Sequence, residues 1–211
     1  MKFQRHFILC MTAVAHSNLQ SKPHAELVSR LRAGRVYRRE ELSAWSRSVD
    51  RDLQQLVGGG FLQKLAQGLY YAPRQSTFGA LPPDDDEVVG AFLRDSDFLI
   101  FSPNAYNSLG VGTTQLYNTT WVYNHKRHGT FRLGNRSYEF RSKQKFPRTV
   151  TPEFLLVDLL NNLNMLAEDK DLLLGRVRSR FADMDRKRLK KALAAYGSVA
   201  TRKLTRDWLR D

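Results

Sequence analysis

Between Ala25 and Pro73 the apolar pattern switches repeatedly between a helical and an extended period, and that order of segments constrains the fold more than any other feature. From Ala25 to Ala33, Leu27, Val28 and Leu31 share one helical face, and Gly34 supplies a stop. Arg35-Val36-Tyr37 reads as extended. A second short helix spans Arg39 to Trp45, with Leu42 and Trp45 three residues apart. The turn Ser46-Arg47-Ser48 then offers either serine as the cap of a third helix. Val49, Leu53 and Leu56 step by four and three and mark its buried side, and Gly58-Gly59-Gly60 ends it. Phe61 to Tyr71 alternates loosely around Gln67-Gly68, the pattern of a β-hairpin. Helix, short strand, helix, tight turn, helix and hairpin is the order of a winged helix-turn-helix, expected over residues 21–75.

The Pro-rich, acidic stretch Ala80 to Glu87 reads as a boundary, so a second domain is expected over residues 76–211. Its acidic run suits a helix N-terminus and leads into Val88 to Leu93. Strands are expected at Phe98-Leu99-Ile100-Phe101, Thr120 to Tyr123, Gly129 to Leu133 and Tyr138 to Arg141, with a helical piece at Asn104 to Leu109 and a turn at Gly134-Asn135. From Thr151 the pattern is helical. Thr151 can cap, Pro152 fits the first turn, and Phe154, Leu155, Leu159, Leu160 and Leu163 form an apolar face. Further helices span Asp171 to Arg210, punctuated at Gly175 and Gly197. The expected fold class is α+β: the N-terminal winged helix, then an α/β domain with a small mixed sheet and a helical end.

The 211 residues carry 34 Lys plus Arg against 21 Asp plus Glu, a formal net charge of +13. That balance points to a polyanionic partner, nucleic acid before an anionic membrane surface. It is uneven: residues 1–75 hold 12 basic and 5 acidic side chains, and the excess falls in the other two thirds. No stretch approaches the ~20 apolar residues of a membrane helix. A lone cysteine, Cys10, excludes an intramolecular disulfide. Lys2 and Arg5 precede the apolar run Phe7 to Ala15, whose Ala13-Val14-Ala15 has the form of a signal cleavage site. The run is at the short limit for such signals, and the rest of the chain does not resemble a secreted domain. Residues 1–20 are therefore read as a structural or partner-contacting segment, and the protein as cytoplasmic.

With Val49, Leu53 and Leu56 inside, the third helix must turn Arg47, Ser48, Asp50, Arg51, Gln54 and Gln55 to solvent. Arginine and glutamine make bidentate contacts to guanine and adenine edges, and an α-helix fits the major groove. The hairpin adds Gln63, Lys64 and Gln67, while Arg38 and Arg39 could clamp phosphates. The expected DNA-contacting set is Arg38, Arg39, Arg47, Ser48, Arg51, Gln54, Gln55, Lys64 and Gln67. Asp50 and Asp52 weigh against it, and the bland reading is a solvated helix used for protein contacts.

Catalytic and metal signals are poor. His125 and His128 are separated by two cations, a poor cation site and a better solvated loop. Asp84-Asp85-Asp86-Glu87 lacks the spacing of a metal-dependent nuclease, and Gly58-Gly59-Gly60 is followed by no Lys-Ser/Thr. No catalytic residue, metal or cofactor is expected. The rival class, a nuclease or nucleotidyltransferase-like enzyme with a winged-helix targeting module, lacks a convergent set of carboxylates. Arg186-Lys187-Arg188-Leu189-Lys190-Lys191 is a solvated helix face, a second nucleic-acid surface or a dock for an acidic partner.

The segments Val49 to Val57, Gly60-Phe61-Leu62 and Gln67-Gly68-Leu69-Tyr70-Tyr71-Ala72-Pro73 resemble the recognition helix and wing of AbiEi-type antitoxins, from bacterial abortive-infection toxin–antitoxin systems. The resemblance continues through Ser76 to Pro83, Ser102 to Gly110, Thr113-Thr114-Gln115 and Phe131 to Phe140, covering about residues 25–165. It implies a DNA-binding domain that represses its own operon by binding an operator in double-stranded DNA. It also implies a C-terminal domain that counteracts a cognate toxin, typically a nucleotidyltransferase. The family's DNA-reading positions fall on Arg47, Ser48, Arg51, Gln54 and Lys64. The apolar segment 1–20 departs from the family pattern. Helix-turn-helix proteins often pair on palindromic sites, so a homodimer on DNA is one expected assembly, although no dimer seam is evident.

Overall fold

Short apolar segments that can each bury only one face are stable when they cover one another, and here they do so around two separate cores. The computed structural model describes residues 22–113, 116–166 and 169–209. The chain divides into one unit up to Asp95 together with Arg132–Arg136, and a second formed by Ser96–Phe131 and the residues from Ser137 onward. Segment 1–20, with Cys10, lies outside the described residues. The fold class is α+β. No helix among the described residues is long and apolar enough to cross a membrane.

In the first unit the order is α1 (Lys22–Arg30), β1 (Val36–Arg38), α2 (Arg39–Ser43), α3 (Val49–Gly58), β2 (Gln63–Ala66) and β3 (Leu69–Tyr71). The three strands form an antiparallel sheet in the order β1-β3-β2, with Val36 opposite Tyr71 and Lys64 opposite Tyr70. Leu27, Tyr37, Leu42, Val49, Leu53, Leu56, Leu62, Tyr70 and Ala72 form the core. Full burial of a side chain such as Leu56 contributes roughly 1.5–3 kcal/mol. The glycine run ends α3 as expected. Gly60 takes a left-handed φ of 75°, which lets its N–H reach Val57 O while the Phe61 N–H reaches Leu56 O at 2.9 Å. This is the paired closure that satisfies the last carbonyls of a helix.

The expected end of this unit at residue 75 needs correction. After a two-stranded ribbon, β4 (Gln75–Ser76) and β5 (Gly79–Ala80), helix α4 (Asp85–Leu93) packs against β1. Asp84 caps α4 by accepting the N–H groups of Asp86 and Glu87, and acidic side chains fill its first turn, favourable beside the positive end of the helix dipole. The Tyr71 hydroxyl donates to Leu81 O at 3.0 Å, holding the connection. What looked like a linker is part of the unit.

The second unit contains most of a mixed sheet of β6 (Phe98–Phe101), β7 (Thr120–Asn124), β8 (Gly129–Leu133) and β9 (Arg136–Ser142), in the order β6-β7-β9-β8. β6 runs antiparallel to β7, and β7 parallel to β9. A 3-10 helix, Pro103–Leu109, follows β6. The helical end comprises α5 (Pro152–Asn161), α6 (Lys170–Ala182), α7 (Arg186–Tyr196) and α8 (Val199–Thr205). Thr151 caps α5 through the Phe154 N–H, as its sequence position suggests. Two expectations fail here. Gly175 lies inside α6, and the break comes at Asp183 to Asp185 instead. α5 is not one-sided: every residue from Phe154 to Leu160 is buried.

That enclosure includes Asp158. Its carboxylate accepts hydrogen bonds from the hydroxyls of Tyr106 at 2.7 Å and Tyr123 at 2.9 Å. Around it, Arg141 lies over the Trp121 ring, 3.4 Å from its centroid, and donates to Asn162 Oδ1 at 3.0 Å and Glu139 Oε1 at 2.9 Å. Burial pushes the Asp158 carboxyl above its ordinary range, against the pull of the two tyrosines.

Asp158→Ala strands two buried hydroxyls, and we expect a loss of about 3 kcal/mol in thermal or urea unfolding. The pH dependence has a definite sign. A carboxyl raised in the folded state makes that state bind more protons, so its contribution declines as pH rises above the ordinary aspartate range. Wild-type stability relative to Asp158→Asn should therefore fall as pH rises above the ordinary aspartate range. A rise would refute the burial argument.

Candidate nucleic-acid interface

The rotation of α3 is set by its buried stripe. Val49, Leu53 and Leu56 face the core, and Asp52, only 3% exposed, joins them at the remaining position of the i, i+3, i+4, i+7 pattern. The Asp52 carboxylate accepts a hydrogen bond from the Ser46 hydroxyl, whose oxygen in turn accepts the Ser48 N–H at 3.0 Å. Neither serine therefore caps α3 by the expected side-chain bond to its first-turn N–H groups. Ser46 instead ties the turn to the helix from inside.

Opposite that stripe, Arg47, Ser48, Asp50, Arg51, Gln54 and Gln55 are all exposed, as the periodicity requires. Asp50 is matched by Arg39. Two parallel hydrogen bonds of 2.7 and 2.6 Å join guanidinium and carboxylate, and they hold the Asp50 carboxyl below the usual carboxylate range. The Arg39 backbone N–H donates to Gly68 O at 2.9 Å, at the hairpin turn. A single residue at the start of α2 is thus bonded both to α3 and to the tip of the hairpin. Gly68 has a φ of 71°, which a tight turn there requires.

On the hairpin, Gln63, Lys64 and Gln67 are exposed, whereas Leu65, Leu69, Tyr70 and Tyr71 are buried. Arg47, Arg51 and Lys64 make no ion pair with the described residues. They are three cations with guanidinium or ammonium groups available to an anion. Arg39 remains partly exposed but is committed to Asp50.

Arg38 is a correction to the expected set. Its guanidinium hydrogen-bonds the carbonyl oxygens of Ala91 and Phe92 in the last turn of α4, and its Nε donates to Glu40 at 3.2 Å. The last carbonyls of a helix lack intrahelical partners and sit at the negative end of its dipole, so a cation placed there is used structurally. Glu40, drawn down by Arg38 and Arg94, completes the cluster. Arg38 is not free to clamp a phosphate.

Elsewhere His125 and His128 are exposed, as expected of their loop. His125 stacks on Phe146 at 4.8 Å, with Nε2 3.3 Å from Asp97. Among the described residues no three His, Cys, Asp or Glu side chains are grouped to hold a metal.

No protein-family model and no curated protein matches the chain. Its fold is similar to the crystal structure of the RV2827C protein from Mycobacterium tuberculosis. The TM-score is 0.57 at 18% sequence identity, over 90% of this chain and 77% of that one. At that identity the likeness concerns the fold alone.

The two classes of arginine separate by stability. Arg38→Ala unties α4 from β1 and should cost about 1–3 kcal/mol in unfolding free energy. Arg47→Ala, exposed and unpaired, should stay within about 0.5 kcal/mol of wild type. Equal melting temperatures for wild type and Arg38→Ala would contradict the structural role of Arg38.

Proposed function

We propose that this chain is a DNA-binding transcriptional regulator of antitoxin type, in which the first unit is a winged helix-turn-helix and α3 its recognition helix. The observation that carries the reading is the exposed face of α3, where Arg47, Arg51, Gln54 and Gln55 stand together on a helix whose acidic side chains are accounted for. Asp52 is buried and Asp50 is matched by Arg39, so the two acids that weighed against a phosphate-facing surface lose most of their force. On this reading Arg51, Gln54 and Gln55 meet base edges in the major groove. Arg47 and Ser48, at the start of the helix, approach a phosphate, and Lys64 and Gln67 on the hairpin contact the backbone or minor groove.

The resemblance to AbiEi-type antitoxins extends the proposal. The DNA is the operator of the chain's own operon, bound by one chain or a homodimer. The second unit counteracts a cognate toxin of the nucleotidyltransferase class, and the protein works in the cytoplasm without a cofactor. Catalysis is assigned to the partner and not to this chain.

The test is binding of the full chain to double-stranded DNA from upstream of its own gene and to scrambled DNA, at two salt concentrations. Arg51→Ala should weaken operator binding by about 5- to 150-fold and relax the preference at one base pair. Unchanged affinity and unchanged preference would remove Arg51 from the interface. Lys64→Ala should weaken all sequences about equally and flatten the dependence on salt. Loss of discrimination at a single base would contradict that role, and equal weak binding to both DNAs by wild type would overturn the proposal.

A further inference from the structure

In the second unit the loop that follows the 3-10 helix, Gly110-Val111-Gly112-Thr113, meets α6 at Arg176. A Cβ on Gly112 would stand 2.8 Å from Arg176 Cζ and overlap the guanidinium, so the arginine lies directly on the loop backbone. Only glycine permits so close an approach. Val111, between the two glycines, is buried in the same core cluster as Leu173, Val177 and Phe181 of α6. Arg176 and Arg180 are one helical turn apart and run along one edge of that buried stripe. Helical side chains lean toward the N-terminus of their helix, so Arg180 covers the turn that carries Arg176.

The donors around this contact are unused. Arg176 is exposed and its side chain makes no hydrogen bond or ion pair with the described residues. Arg180 is half-buried, and its buried Nε has no hydrogen-bond partner. Thr113 is 8% exposed, and its buried Oγ1 is unpartnered in the same way. The backbone N–H groups of Val111, Gly112 and Thr113 donate to no acceptor among the described residues. Gly110 and Gly112 have φ of 68° and 77° on either side of Val111, so the backbone alternates in hand there. Successive N–H groups in such a turn form a concavity that suits an anion. Buried polar groups are ordinarily bonded, and each one that is not calls for a partner. Here the unsatisfied groups are donors: two guanidinium forks, a hydroxyl and a short run of amides. A compact oxyanion supplies acceptors to all of them, and the charged guanidinium groups make those bonds strong.

We propose that residues 110–113 together with Arg176 and Arg180 bind a single phosphate group, its oxygens accepting from the loop N–H groups, the Thr113 hydroxyl and both guanidinium groups. The phosphate is either the free ion or the terminal group of a nucleotide. The site does not depend on duplex recognition by α3.

The experiment titrates the full chain with inorganic phosphate and with AMP by calorimetry at constant ionic strength. The variants are Arg176→Ala, Arg180→Met and, as a control for charge alone, Lys187→Ala on the exposed side of α7. We expect wild type to bind and its melting temperature to rise with the bound probe. Arg176→Ala and Arg180→Met should each weaken binding about tenfold, and Lys187→Ala should leave it unchanged. Tighter binding of AMP than of phosphate would assign a nucleotide, and equal or tighter binding of phosphate would assign the free ion. The proposal is overturned if neither probe binds, if Arg176→Ala keeps wild-type affinity, or if Lys187→Ala loses as much as Arg176→Ala. Should Arg180→Met fail to fold, the exposed and unpaired Arg176 still decides the matter.

Discussion

Burial of Val49, Leu53 and Leu56 against Leu27, Tyr37 and Leu42 fixes the rotation of α3 about its axis, and the chemistry of the first unit depends on that rotation. A helix of this length has no other means of choosing which side chains meet solvent. Once three aliphatic residues are committed inward, Arg51, Gln54 and Gln55 are committed outward by the 100° step of the helix. Polar contacts then sharpen what the apolar ones begin. Ser46 and Asp52 secure the turn from within, and Arg39 secures the helix to the hairpin tip from outside. The outer ion pair is exposed and screened by solvent, so it adds little energy on its own. Its value is geometric, because a two-pronged contact sets orientation as well as distance.

The second unit meets a different constraint. α5 is enclosed from Phe154 to Leu160, so the one carboxylate in that stretch, Asp158, has no route to water and must be satisfied by the protein. Tyr106 and Tyr123 supply the donors, while Asn162 and the stacked Arg141 occupy the space around them. A buried polar cluster of this kind favours one arrangement over near alternatives, because any other packing would leave several groups unpaired at once. It sits among the aromatic contacts of Phe101, Trp121, Tyr123 and Phe154, which a uniform aliphatic core would not orient so tightly.

What could be read from the residues alone followed from local rules. The helix and strand order of the first unit, the glycine closure of α3, the cap at Thr151 and the exposed set on α3 all depend on periodicity or on neighbours in the chain. What escaped depends on partners far away in sequence. Arg38 looked like a phosphate clamp because its acceptors lie 53 and 54 residues downstream. Asp158 drew no notice because its donors come from positions 52 and 35 residues upstream. Asp52 is the exception that could have been caught: it occupies a core position of a visible helical stripe, and only its polarity hid it. Gly175 misled in the other direction, since a glycine with open space around it can ride inside a helix at a cost of about 1 kcal/mol.

The attachment of α4 to β1 bears on how the first unit can be inherited or recombined. β1 is an outer strand of its sheet, and its Val36 N–H faces Glu87 at 3.5 Å while Arg38 reaches the end of the same helix. A chain cut after Pro73 would keep every residue proposed to touch DNA. It would also bare an unpaired strand edge and leave a half-buried cation without its carbonyls. Such a fragment would tend to pair through that edge with another copy of itself. The segment that transfers intact to another protein is therefore longer than its binding surface, and it reaches at least to where Arg94 turns left-handed to close α4.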